Sequence, residues 1–149
     1  MDCLLDAGFR RLTVLDISAT ALQHARDRLG GRSGLVQWVT SDVTTADLQE
    51  QFDVWHDRAV FHFLTQPEDR KRYVAKLRSA LATDGTAVIA TFGPEGPTHC
   101  SGLPVCRYAP DDLLTELGDG FELTHSELAT HTTPSGNDQQ FVYASFRRT

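Results

Sequence analysis

Apolar residues run along the chain in short blocks, and the spacing inside each block names an element. Asp2–Phe9 reads as the tail of a helix, with Gly8 near its end. Leu12–Ile17 is a compact apolar run that predicts a buried strand. Ser18 is placed to cap a following helix that runs to about Leu29, with Leu22, Ala25 and Leu29 on one face and Gly30-Gly31 as its stop. Leu35–Val39 and Phe52–His56 are the next strands, and Asp57–Leu64 follows as a loop or short helix. Thr65-Gln66-Pro67-Glu68 has the form of a capping box and opens a helix through about Ala82, with Tyr73, Val74, Leu77 and Leu81 as its buried stripe. Asp84-Gly85 turns the chain into the strongly apolar strand Thr86–Phe92.

Gly93–Arg107 carries three prolines and three glycines and reads as a loop. Pro110 starts a short helix with Asp111 and Asp112 in its first turn, where carboxylates complement the helix dipole, and Gly118 ends it. Phe121–Ala129 and Gln140–Phe146 are the last strands. Their connection, Thr132-Thr133-Pro134-Ser135-Gly136-Asn137, is too short for a crossover helix, so they pair antiparallel. Strands alternating with helices imply an α/β fold whose sheet is mostly parallel with an antiparallel end, in a single domain spanning 1–149.

Two carboxylates change this picture. Asp16 closes the first strand and Asp42 follows the second in Ser41-Asp42-Val43. Acids at strand exits are costly if buried without donors. They fit a ligand with hydroxyl or amino groups lying across the strand ends, which is where open α/β sheets bind ligands. The densest polar cluster beside a buried strand is His56-Asp57-Arg58. His62, between Phe61 and Phe63, reads either as a satisfied core histidine or as a site residue. His99, Cys100 and Cys106 match no common zinc spacing, and no metal site is expected.

Composition narrows the partners. The net charge of −6 disfavours a nucleic-acid backbone as partner. No apolar run approaches membrane-spanning length, and the start Met1-Asp2-Cys3-Leu4-Leu5-Asp6 is not that of a signal peptide. Three cysteines, an odd number, suit free thiols in a reducing cytoplasm.

The segments Val14-Leu15-Asp16-Ile17-Ser18, Ser41-Asp42-Val43 and Phe52-Asp53-Val54-Trp55-His56-Asp57-Arg58-Ala59-Val60-Phe61-His62-Phe63, followed by Leu77–Ala82, Asp84-Gly85 and Thr86–Phe92, resemble a class I S-adenosylmethionine-dependent methyltransferase along nearly the whole chain. The resemblance implies a Rossmann-like fold, S-adenosylmethionine as cofactor and S-adenosylhomocysteine as product. It implies that Asp16 holds the ribose hydroxyls with Ile17 against the adenine, and that Asp42 accepts from the adenine amino group beside Val43. It places His56-Asp57-Arg58 against the methionine part of the cofactor and the incoming acceptor, with His56 and Asp57 as cofactor-side and catalytic residues and Arg58 toward the acceptor. From their places in the chain, His62 and Phe92, with Arg107 and Tyr108, read as further acceptor contacts, and His56 or His62 is the base where the nucleophile starts protonated. The Gly93–Arg107 loop reads as a substrate lid.

The chain departs from the family at one place. It has no strand ending in a glycine-rich turn, and its first strand matches the family's second, so it is expected to begin inside the family's first helix. That missing strand would be the sheet's central one. The strands flanking it would then pair directly, or a second copy of the chain would fill the gap. The expected activity is methyl transfer to a small molecule or a protein. The alternative is an inactive remnant that serves as an interaction module or oligomer. A nucleotide-dependent dehydrogenase would need its own Gly-x-Gly-x-x-Gly fingerprint, which is also absent.

Overall fold

A computed structural model of the chain describes residues 1–133 and 136–149. Pro134 and Ser135, part of the predicted connection between the last strands, lie outside the described residues. The rest forms two compact units, Met1–Ala46 and Asp47–Thr149.

The first unit holds α1 (Asp2–Asp6), β1 (Leu12–Asp16), α2 (Ala19–Leu29) and β2 (Val36–Thr40). The Ser18 hydroxyl accepts from the Ala21 amide at 3.2 Å, as its capping position predicts. Leu22 and Leu29 are buried and Ala25 is half-buried, so the apolar face of α2 is the one read from sequence. Gly30 ends the helix with a positive φ of 55°, but the chain then winds through a 3₁₀ segment, Gly30–Leu35. This leaves Leu35 exposed and starts β2 one residue later than expected. β1 and β2 pair in parallel from Leu12↔Val36 to Asp16↔Thr40. Leu5, Leu29 and Val36 form the small core, with Leu12, Val14 and Trp38 packed on it.

The second unit contains β3 (Phe52–Arg58), α3 (Pro67–Ala80), β4 (Leu81–Phe92), β5 (His99–Cys100), β6 (Leu103–Pro104), α4 (Pro110–Leu117), β7 (Phe121–Thr132) and β8 (Asp138–Arg148). Its main sheet has the order β3-β4-β8-β7, with β3 and β4 parallel and β8 antiparallel to β4 and β7. The antiparallel pair is as predicted. The last strand takes the inner position because Phe141, Val142, Ala144 and Phe146 bury both of its faces. β7 takes the edge, where Glu122, His125, Glu127 and His131 are exposed and blunt it. The predicted stripe Tyr73, Val74, Leu77 and Leu81 is fully buried.

Two local expectations are corrected. The capping box at Thr65–Glu68 does not form: Gln66 is the N-cap and makes no side-chain cap bond, while Pro67 opens the helix. The exposed entry is instead held by Arg70, whose guanidinium donates to the Leu64 and Thr65 carbonyls, each at 3.0 Å, and pairs with Glu116 at 2.8 Å. Asp84-Gly85 does not separate helix from strand either. β4 begins directly at Leu81, and the pair is absorbed as a bulge between the registers Phe52↔Leu81 and Val54↔Thr86. Asp84 sits there at φ 63°, and a Cβ on Gly85 would lie 2.8 Å from the Ala82 carbonyl.

Among the described residues the ladders pair β1 with β2 in the first unit and β3 with β4 in the second.

The acceptor-side reading of His62 and Phe92 is also corrected. Phe92 is 1% exposed and lies between the His62 and Phe141 rings. His62 is 0% exposed, and its Nδ1 accepts from the Phe92 amide at 3.3 Å. That bond puts the proton of the neutral ring on Nε2, which finds no acceptor among the described residues. Burial pushes the imidazole pKa down to about 4. The folded state therefore keeps His62 neutral, whereas the unfolded chain protonates it near pH 6.5. Stability should fall as pH drops from about 6.5 towards 4, by about 3 kcal/mol from this residue at roughly 1.4 kcal/mol per pH unit. Urea titrations at pH 7 and pH 4.5 on the wild type and on His62→Asn check this: the acid loss should shrink in the variant.

Candidate functional site

The first unit supplies an acidic end. Asp16 is the last residue of β1, and Asp42 lies just past β2, whose Ser41 amide donates to the Asp16 carbonyl at 3.1 Å. Both acids therefore stand at the carboxyl end of one parallel pair. Each ties down its own turn through one oxygen only. Asp16 Oδ1 accepts from the Ser18 amide at 2.8 Å. Asp42 Oδ1 accepts from the Thr44 amide and hydroxyl, both at 2.7 Å. The Oδ2 atoms accept no bond among the described residues, which leaves a free acceptor on each carboxylate.

Ile17, beside Asp16, is 73% exposed. Val43 follows Asp42 in the same turn. Its side chain is only 9% exposed and packs inward, so only its backbone faces outward chemistry, and its amide donates to no acceptor among the described residues.

The second unit supplies the turn that leaves β3. His56 and Arg58 are exposed on it, as is Val60 beyond them. Asp57, between the two, points the other way. Its carboxylate is 5% exposed and takes bonds from the Val60 amide at 2.9 Å, the Phe61 amide at 3.1 Å and the Tyr73 hydroxyl at 2.7 Å. Burial pushes its pKa up, against the pull of the Tyr73 hydroxyl, the two amides and the charge of His56. Asp57 thus shapes the turn from inside, where the sequence reading had it among the reacting groups. Ala59 completes the turn at φ 65°, and its amide donates to the Ala90 carbonyl at 2.8 Å.

The loop after β4 is tied down at both ends. The Gly93 amide donates to the Gln140 carbonyl and the Glu95 amide to the Gln140 side chain, each at 2.9 Å. Further on, the Cys106 amide donates to the His62 carbonyl at 2.8 Å and the Tyr108 amide to the Phe92 carbonyl at 3.0 Å. Between these ties, β5 and β6 form a small hairpin through Ser101 and Gly102, both at positive φ. Tyr108 is buried against Phe61, and Arg107 is exposed and donates to the Gly96 carbonyl. Sequence reasoning missed Gln140 as the anchor, and it read Tyr73 as packing alone. The signal for Tyr73 was available, since a buried tyrosine needs a partner for its hydroxyl.

Comparison with known proteins bears on both ends. A malonyl-[acyl-carrier protein] O-methyltransferase from Anoxybacillus flavithermus is 28% identical over 130 residues, covering 86% of this chain and 48% of that protein. The chain spans less than half the length of the curated relatives it matches. The N-methyltransferase NodS from Bradyrhizobium japonicum WM9 superposes with a TM-score of 0.75 at 20% identity, over 93% of this chain and 73% of that one. A 1,6-didemethyltoxoflavin-N1-methyltransferase from Burkholderia thailandensis, solved with 1,6-didemethyltoxoflavin and S-adenosylhomocysteine, superposes at 0.76 and 21% identity, over 99% and 65%. These likenesses establish the fold. Residues 2–87, which carry both acids and the β3 turn, match the methyltransferase-domain family, and the chain belongs to that family, with the class I S-adenosylmethionine-dependent methyltransferase fold.

Proposed function

We propose that this chain binds S-adenosylmethionine and takes part in methyl transfer to a small-molecule or protein acceptor, with 1–149 acting as one methyltransferase-like domain. The observation that carries this reading is the pair of free carboxylate oxygens at the end of β1 and β2, next to the exposed Ile17. An ionised carboxylate matches a vicinal diol, so Asp16 holds the ribose. Asp42 Oδ2 accepts from the adenine amino group and the Val43 amide donates beside it. Ile17 covers the base. The donor set on these residues suits a nucleoside.

S-adenosylmethionine, when bound, supplies an electrophilic methyl group on a sulfonium. The residues of this chain contribute orientation and exclusion of water, on which an in-line displacement chiefly depends. At the β3 turn His56 faces the methionine end of the cofactor and Arg58 faces the acceptor. Where the nucleophile starts protonated, His56 takes the proton. His62 does not serve, because its ring is buried and its Nδ1 is occupied. The relatives named above act on different atoms, one on oxygen and two on nitrogen, so they leave the acceptor of this chain open. No described helix is long and apolar enough to cross a membrane, and the charge of −6 weighs against a nucleic-acid acceptor.

One observation favours a second reading. Among the described residues β1 and β3 each have one ladder partner, which suits a module that associates through its strands, with itself or another chain, in place of catalysis. Calorimetry with S-adenosylhomocysteine separates the two readings. Micromolar binding supports the enzyme, and no heat at millimolar ligand supports the module. Asp16→Ala should weaken binding by about 1–3 kcal/mol, the range for hydrogen bonds to charged groups. Unchanged affinity in the folded variant removes Asp16 from the site.

A further inference from the structure

We propose that Tyr73 and Trp55 are positioning residues of the methyltransferase site: through the buried Asp57 carboxylate they fix the turn that presents His56, Arg58 and Val60. This rests on the reading given under the proposed function, which places that turn against cofactor and acceptor.

The direction of each bond in the chain is settled by chemistry. An indole N–H only donates, so Trp55 Nε1 gives its proton to the Tyr73 oxygen, at 2.9 Å. The single proton of Tyr73 then goes to Asp57 Oδ2, at 2.7 Å. The Val60 and Phe61 amides also only donate, and both end on the same carboxylate. Three donors, the Tyr73 hydroxyl and the Val60 and Phe61 amides, therefore converge on the one carboxylate. The ionisable groups that face it are Tyr73 from α3 and His56 from its own strand.

The consequence is mechanical. Val60 and Phe61 lie just beyond the strand, and Ala59 between them and Asp57 is held in the left-handed region at φ 65°. A left-handed alanine is disfavoured on its own and persists only where its surroundings fix it. Here the fixing comes from the carboxylate on one side and the Ala90 carbonyl on the other. Tyr73 is the only link from helix α3 to that carboxylate among the recorded bonds, and its ring also packs on Trp55 at 5.8 Å and on Phe61 at 4.9 Å. The position of the turn is therefore set by a hydroxyl on a helix that presents no exposed site residue.

Tyr73→Phe tests this, because it removes one hydroxyl and keeps the packed ring. Val74→Ala, a buried neighbour on the same helix outside the network, is the control for lost stability. Affinity for S-adenosylhomocysteine is measured by calorimetry, with amide hydrogen exchange at Val60 and Phe61 alongside. The expected result is wild-type binding, affinity at least fivefold weaker in Tyr73→Phe, faster exchange at both amides, and near-wild-type affinity in Val74→Ala. Wild-type binding with equal affinity in Tyr73→Phe overturns the inference and leaves the proposed function standing. Equal weakening in both variants also overturns it, since affinity would then follow stability alone. Absence of binding to the wild type defeats the proposed function itself, and the inference falls with it.

Discussion

A buried anion surrounded only by donors governs the functional end of the second unit. Taking a carboxylate out of water is expensive. Asp57 offsets that cost with three charge-assisted bonds, from Tyr73, Val60 and Phe61. The three bonds tie the turn, the helix behind it and the strand that carries it to one group. The exposed neighbours His56 and Arg58 owe their placement to this internal charge. A chain lacking it would leave two amides without acceptors beside a left-handed alanine.

Much of the architecture was legible because it rests on periodicity. The stripe Tyr73, Val74, Leu77 and Leu81, the Ser18 cap and the antiparallel closing pair all follow from local spacing. The misreadings share a cause as well. Thr65 does not cap its helix because the helix starts one residue later, with Gln66 at the N-cap, and Arg70 ties the Leu64 and Thr65 carbonyls instead. Asp84-Gly85 looks like a turn, and its backbone does take the turn-like φ, but the partner strand absorbs it as a bulge. The insertion of β8 beside β4 follows from burial on both faces, which a short alternating pattern understates.

The candidate site was legible as a neighbourhood and less so as a set of roles. His56, Asp57 and Arg58 were read as one polar cluster, yet a strand sends successive side chains to opposite faces, so Asp57 turns inward between two exposed neighbours. His62 and Phe92 carry suggestive chemistry and lie deep in the core. Asp16 and Asp42 were read from their place at strand exits, and the free oxygen on each is compatible with that reading. Tyr73 and Gln140 act through partners far away in sequence; a buried tyrosine at least announces that its hydroxyl needs a partner, whereas nothing around Gln140 announces its role.

The double fastening of the loop after β4 also bears on traffic. Because Gln140 grips its entrance, and the His62 and Phe92 carbonyls grip its exit, a swing of the whole segment would break backbone bonds to two separate elements at once. Between these ties the β5–β6 hairpin, turning at Ser101 and Gly102, stands without a bond to the strands of the main sheet among the described residues, so the loop is a wall fixed at its base and shaped at its crest by its own two short strands.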